Sequence, residues 1–190
     1  MPDMLIAAVV YADGVYPDHA IGRAIEPLRG QGIPLAGAIQ RDPTDRPGRH
    51  PCDLLLENLA TGEVTAIAEE RGKEARGCRL DVGILTEVSE AVANSLYDDE
   101  PKLLIVNKFG KIEVDGGGMR EAIADAVHLG IPVLVGVPMR NLDRWRAFAG
   151  TYSVELPADA SAISDWLESR GLPVRPARRE PASRDAARLA

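Results

Sequence analysis

Residues Leu103–Gly118 read LLIVNKFGKIEVDGGG, and the order of their apolar and polar halves decides the fold. Lys102–Asn107 (KLLIVN) holds a short unbroken apolar run, the pattern of a strand covered on both faces. The polar, glycine-rich stretch Lys108–Gly118 then feeds a helix over Met119–Leu129. This strand–loop–helix unit recurs on both sides. Upstream, Leu5–Tyr11 (LIAAVVY) reads as a buried strand, Ala12–Asp18 as a polar loop, and His19–Arg29 as a helix with Ile21, Ala24, Ile25 and Leu28 at helical spacing. Gly30-Gln31-Gly32 ends that helix, and Leu35–Gln40 (LAGAIQ) is a second buried strand. Beyond the Arg41–Pro51 loop, Asp53–Leu59 and Glu63–Ala68 bracket the turn Ala60-Thr61-Gly62 as a hairpin. A loop over Glu69–Arg79 leads to a helix from Asp81 to Tyr97, with Ile84, Leu85, Val88, Ala91, Val92 and Leu96 on one face. Downstream come a strand Ile131–Val137, a helix Leu142–Phe148, a strand Tyr152–Leu156 and a helix Ser161–Ser169.

Alternation of this kind implies a mostly parallel sheet with right-handed crossovers: an α/β three-layer sandwich with a β-hairpin insertion. Such sheets bind ligands beyond the carboxyl ends of their strands. The loops that matter are therefore Tyr11–Asp18, Gln40–Pro51, Asn107–Gly118 and Val137–Leu142. Residues 1–172 make one domain, and 173–190 read as a disordered basic tail carrying Arg175, Arg178, Arg179, Arg184 and Arg188.

The 190 residues carry 29 acidic and 22 basic side chains, a net charge of −7, which disfavours a nucleic-acid partner. With the arginines of the tail set aside, the body is more acidic still. No apolar run approaches ~18 residues, so no membrane insertion is expected. The N-terminus lacks the basic flank and apolar length of a signal peptide. Two cysteines build no disulfide framework and fit a cytoplasmic location.

Against that acidic background a local cluster of cations stands out. Lys108, Lys111 and Arg120, with the backbone N–H groups of Gly116, Gly117 and Gly118 ahead of a helix, could converge on a small anion. Gln40, Asn107 and Arg79 would complete the pocket. The same charges also fit two surface ion pairs, Lys111 with Glu113 and Arg120 with Glu121. Other candidates are weaker. His50, Cys52 and Cys78 lack metal-ligand spacing. Cys78 beside Arg79 has no positioned base. Asp13, Asp18 and Asp42 could meet a cation, although Asp18 suits a helix cap. Trp145, Phe148 and Trp166 read as packing residues. Neither a metal site nor a catalytic set is expected.

The run NKFGKIEVDGGG, with RGCRLD at Arg76–Asp81, CDLLLENLATGE at Cys52–Glu63 and PVLVGVP followed by Trp145, resembles an uncharacterised bacterial domain family. Its members are related to molybdenum-transporter ATPases and small nucleoside-triphosphatases, and recur beside molybdate-uptake genes. The resemblance runs from about Leu5 to Leu167 and implies a degenerate P-loop-NTPase-like sheet. In the related triphosphatases the corresponding strand ends in Asp-Glu. Asn107 stands at the position of the magnesium-associated Asp, and Lys108 at that of the catalytic Glu. An amide is a poor substitute for a carboxylate on Mg²⁺, and a lysine cannot polarise water as a glutamate does. After the first strand, Tyr11–Asp18 (YADGVYPD) lacks the G-x-x-x-x-G-K-[ST] phosphate loop and carries two carboxylates.

The expectation is an oxyanion-binding protein without conventional ATPase chemistry, acting in cytoplasmic molybdenum storage, delivery or sensing. Molybdate or tungstate would be its ligand, with no cofactor required. The resemblance implies a molybdate transporter or molybdenum-cofactor protein as partner. Two alternatives stay open: an unconventional nucleoside-triphosphatase, and a catalytically inactive scaffold for a transporter or cofactor-assembly partner. A homo-oligomer also stays open, since a pocket of this kind can form between subunits.

Overall fold

The computed structural model describes residues 4–13, 17–41, 54–68 and 80–174. Seven strands form one sheet: β1 (Ile6–Tyr11), β2 (Leu35–Arg41), β3 (Leu55–Asn58), β4 (Val64–Ala66), β5 (Leu103–Val106), β6 (Val133–Pro138) and β7 (Ser153–Pro157). Their spatial order is β4-β3-β2-β5-β6-β1-β7. From β2 to β7 all neighbours pair in parallel, whereas β3 and β4 add an antiparallel hairpin at one edge.

The unbroken apolar strands sort their side chains by strict alternation. Ala8, Ala36, Leu104, Val106, Val133 and Val135 face one core, covered by α2 (Val82–Asp98), α4 (Arg120–His128) and α5 (Leu142–Ala149). Ala7, Val9, Leu35, Leu103, Ile105 and Leu134 face the other, covered by α1 (Asp18–Gly30) and α6 (Ala160–Ser169). Two cores separated by one sheet make the three layers.

Several local readings shift. Asp18 is the first helical residue of α1, and Pro17 takes the cap position. Asp81 caps α2 by accepting from the Ile84 N–H at 3.1 Å. On α2, Ala91 is exposed while Ser89 and Ser95 are buried. Their hydroxyls donate to the carbonyls of Leu85 and Val92, both at 2.8 Å, so burial leaves them satisfied. A short helix, α3 (Lys111–Val114), lies inside the stretch read as loop. Packing also continues past residue 172: Val174 is buried, and Gln31 Nε2 donates to the Pro173 carbonyl at 2.7 Å.

The hairpin is held by charge as well as by pairing. Glu57, 2% exposed, meets Arg29 Nη2 at 2.6 Å and Arg41 Nε at 2.5 Å. Two cations compensate a carboxylate that could not otherwise be buried there.

Candidate functional site

The carboxyl ends of β2, β5 and β6 open on a cavity of about 370 Å³. Gln40, Asn107, Lys108 and Lys111 all line it, joined by Arg140 and Asn141 from the segment after β6 and by the Glu113 carboxylate. Its floor is apolar, with Leu54, Leu56 and Ile67 from the hairpin region, Leu85 from α2 and Met119 from the approach to α4.

Phe109 fixes this geometry. It is fully buried, edge-on to Trp145 at 5.1 Å and stacked with Phe148 at 5.7 Å. Its N–H donates to the Gly136 carbonyl at 2.7 Å, and its carbonyl accepts from Asn141 Nδ2 at 2.8 Å. The residue before it, Lys108, is thereby held at the cavity wall. Gly136 permits the close approach: a Cβ there would lie 2.2 Å from the Asn107 carbonyl oxygen. Asn107 Oδ1 accepts from the Gln40 N–H at 3.0 Å and ties β5 to β2. The Asn107 amide thus serves as a strand-end clamp.

Lys108 is half-buried, and burial lowers its pKa, with the Arg140 charge adding to the effect. Glu113, Asp13 and Asp18 pull in the opposite direction. No carboxylate among the described residues forms an ion pair with Lys108 or Lys111, whereas Arg140 pairs with Asp13.

The glycine-rich segment is organised differently from the sequence expectation. Its anion is the chain's own Glu113, 5% exposed, which accepts from the N–H groups of Gly110 at 2.8 Å and Met119 at 3.2 Å. Burial raises the Glu113 pKa above the usual carboxylate range, against the pull of those two N–H groups and of Lys108. Gly116 and Gly117 donate to the carbonyls of Glu113 and Ile112, and so are not free to hold an external anion. Gly116, Gly117 and Gly118 border a separate groove with Glu90 and Glu121, whose charge opposes an anion. Arg120 also points elsewhere: Nη1 donates to the Glu113 carbonyl at 3.3 Å, and the guanidinium sits 4.3 Å above the Phe148 ring. The structure therefore keeps Gln40, Asn107, Lys108 and Lys111 together and removes Arg120 and the three glycines from the pocket.

Arg79 lies outside the described residues, as do His50, Cys52, Cys78, Asp42 and the arginines of the tail. Sequence reasoning did not single out Arg140 and Asn141. Their signal was positional, because the loop after β6 is among those the topology brings to the ligand-binding edge.

This architecture is a mostly parallel α/β sheet of the P-loop NTPase-like kind. It is similar to the crystal structure of THEP1 from the hyperthermophile Aquifex aeolicus, with a TM-score of 0.62 and 16% identity, covering 86% of this chain and 98% of that one. The chain belongs to the family described as a protein of unknown function, DUF2478, whose profile matches residues 6–166. It is also 31% identical over 163 residues to the molybdenum import ATP-binding protein ModC 2 of Bradyrhizobium diazoefficiens. That match takes in 85% of this chain and spans 18% of the relative's length. Among the described residues, no helix is long and apolar enough to cross a membrane.

Proposed function

We propose that the chain binds a small oxyanion at Lys108 and Lys111, with Arg140 and Asn107 alongside. The observation that carries this reading is the convergence of Lys108 and Arg140 on one cavity, where no described carboxylate forms an ion pair with Lys108. A half-buried ammonium held near a second cation gains most from an added anion, because the anion offsets both desolvation and like-charge repulsion. Molybdate or tungstate is the proposed ligand, and cytoplasmic storage, delivery or sensing of molybdenum the proposed role. The molybdenum part is supported by the likeness to a molybdenum import ATP-binding protein, and a transporter or cofactor-assembly partner is proposed on the same ground. Molybdate or tungstate should raise the melting temperature, and Lys108→Ala should abolish the shift. No binding at millimolar oxyanion would refute the reading.

A second reading, an unconventional nucleoside-triphosphatase, is favoured by the fold. Against it, Asn107 and Lys108 stand where the related enzymes are expected to keep carboxylates. It requires Mg²⁺-dependent phosphate release from ATP that Lys111→Ala removes. Isothermal titration of one sample with molybdate and with Mg-ATP separates the two.

A further inference from the structure

The cavity is larger and more apolar than a tetrahedral oxyanion needs. At about 370 Å³ it falls in the range of small-molecule pockets, which are mostly apolar with a few polar groups fixing orientation. Gln40, Asn107, Lys108, Lys111, Arg140 and Asn141 supply polar groups, and the Glu113 carboxylate also lines the cavity with its oxygens taken by the Gly110 and Met119 N–H groups, while Leu54, Leu56, Ile67, Leu80, Leu85 and Met119 supply the apolar walls. A bare inorganic anion would pair with the lysines and leave those walls in contact with water. An organic body attached to the anion would cover them, at roughly 25 cal/mol per Å² of apolar surface removed from water.

The cations set the size of the head group. Arg140 is already paired with Asp13, so Lys108 and Lys111 are the lysines left to neutralise a ligand here. That suits one phosphate- or sulfate-type group better than a polyphosphate chain. The glycine-rich turn adds no further anion site, since the Glu113 carboxylate already takes the Gly110 and Met119 N–H groups.

From this combination we infer that the cavity takes an organic oxyanion: a ring-sized apolar body bearing a single phosphate-type head, the head at Lys108 and the body against the hairpin and α2. The inference rests on the oxyanion reading of Lys108 and deepens it by naming the ligand class.

Isothermal titration of the full chain with inorganic phosphate, methyl phosphate, phenyl phosphate and 1-naphthyl phosphate, together with neutral 1-naphthol, tests it. Affinity should climb along the series, with 1-naphthyl phosphate at least tenfold tighter than inorganic phosphate. Lys108→Ala should weaken every anion. Leu85→Asn should narrow the affinity ratio between the aromatic esters and inorganic phosphate. The ligand series on the wild-type chain keeps the test decisive should that variant fail to fold. Equal affinity for all four phosphates overturns the organic-ligand inference and leaves the oxyanion reading standing. Binding of 1-naphthol with no binding of any phosphate overturns the oxyanion reading, and with it this inference. No binding of any probe overturns both.

Discussion

Glu113 and Gly118 should behave as one unit, and a double-mutant cycle measures it. In Glu113→Ala the partly buried Gly110 N–H and the buried Met119 N–H lose their acceptor. A buried unsatisfied donor costs about 1–3 kcal/mol. Part of this is returned, because a carboxylate whose pKa is raised by burial carries a desolvation cost that the substitution removes. The net expectation is a loss of about 2–3 kcal/mol. In Gly118→Ala the new Cβ would fall 2.1 Å from Glu113 Oε1, at a φ of +58°. The carboxylate must leave, so the same two bonds are lost, and the left-handed backbone adds about 1 kcal/mol. The double variant repeats only the backbone part. Its loss should be about 3–4 kcal/mol rather than the sum of about 5–7, a coupling of about 2–3 kcal/mol. Urea denaturation read by linear extrapolation gives these values. In thermal melts each kcal/mol corresponds to about 2–4 °C for a chain of this size. Additivity within about 0.5 kcal/mol, or a Glu113→Ala variant as stable as wild type, would refute the reasoning.

Three further outcomes are expected. The Glu113 pKa is raised in the folded chain, so the native state holds its proton to higher pH than the unfolded chain. The stability gained from that proton is full below the unfolded value of about 4.3 and is lost as pH rises through the raised native value. Relative to Glu113→Gln, the wild type should therefore be favoured most in acid, and melts from pH 3 upward check the sign. At the hairpin, the double change of Arg29 and Arg41 to Met strands a buried carboxylate and should cost about 3–5 kcal/mol. Glu57→Leu should cost less in chemical denaturation, since side chains that are 32% and 44% exposed can rehydrate. Finally, Gly136→Ala drives a Cβ into the Asn107 carbonyl and should weaken anion binding at Lys108 more than tenfold in titrations, even where the chain still folds.

The division between what could be read in advance and what could not follows the range of the forces involved. Continuous apolar runs such as LIAAVVY and KLLIVN have one stable use in a chain with intervening amphipathic helices, namely strands buried on both faces. The layers and the crowding of the Asn107–Gly118 loop at the ligand edge were therefore legible from local pattern. The hairpin was legible as well, because Gly62 adopts a φ of +74° in its turn. On α2, periodicity placed Ala91 inward. Helix geometry buried Ser89 and Ser95 instead, since a hydroxyl can be satisfied by a carbonyl one turn back.

The site itself could be read only halfway. Lys108 and Lys111 follow a strand whose end is visible in the sequence, so their place at the cavity follows from topology and short range. Arg120 and the glycines lie only a few residues further on, yet their roles depend on partners the local pattern does not specify: Phe148 from α5 under the guanidinium, and Glu113 turning back on Gly110 and Met119. Three glycines ahead of a helix announce backbone N–H groups in need of an anion. Composition alone determined that need, and a net charge of −7 limited any outside anion to a small local site. Only the tertiary structure decided who answers it: Gly116 and Gly117 give their N–H groups to the carbonyls of Glu113 and Ile112, Glu113, a carboxylate held without loss of translational freedom, takes those of Gly110 and Met119, and the lysine-lined cavity is the place proposed for a ligand.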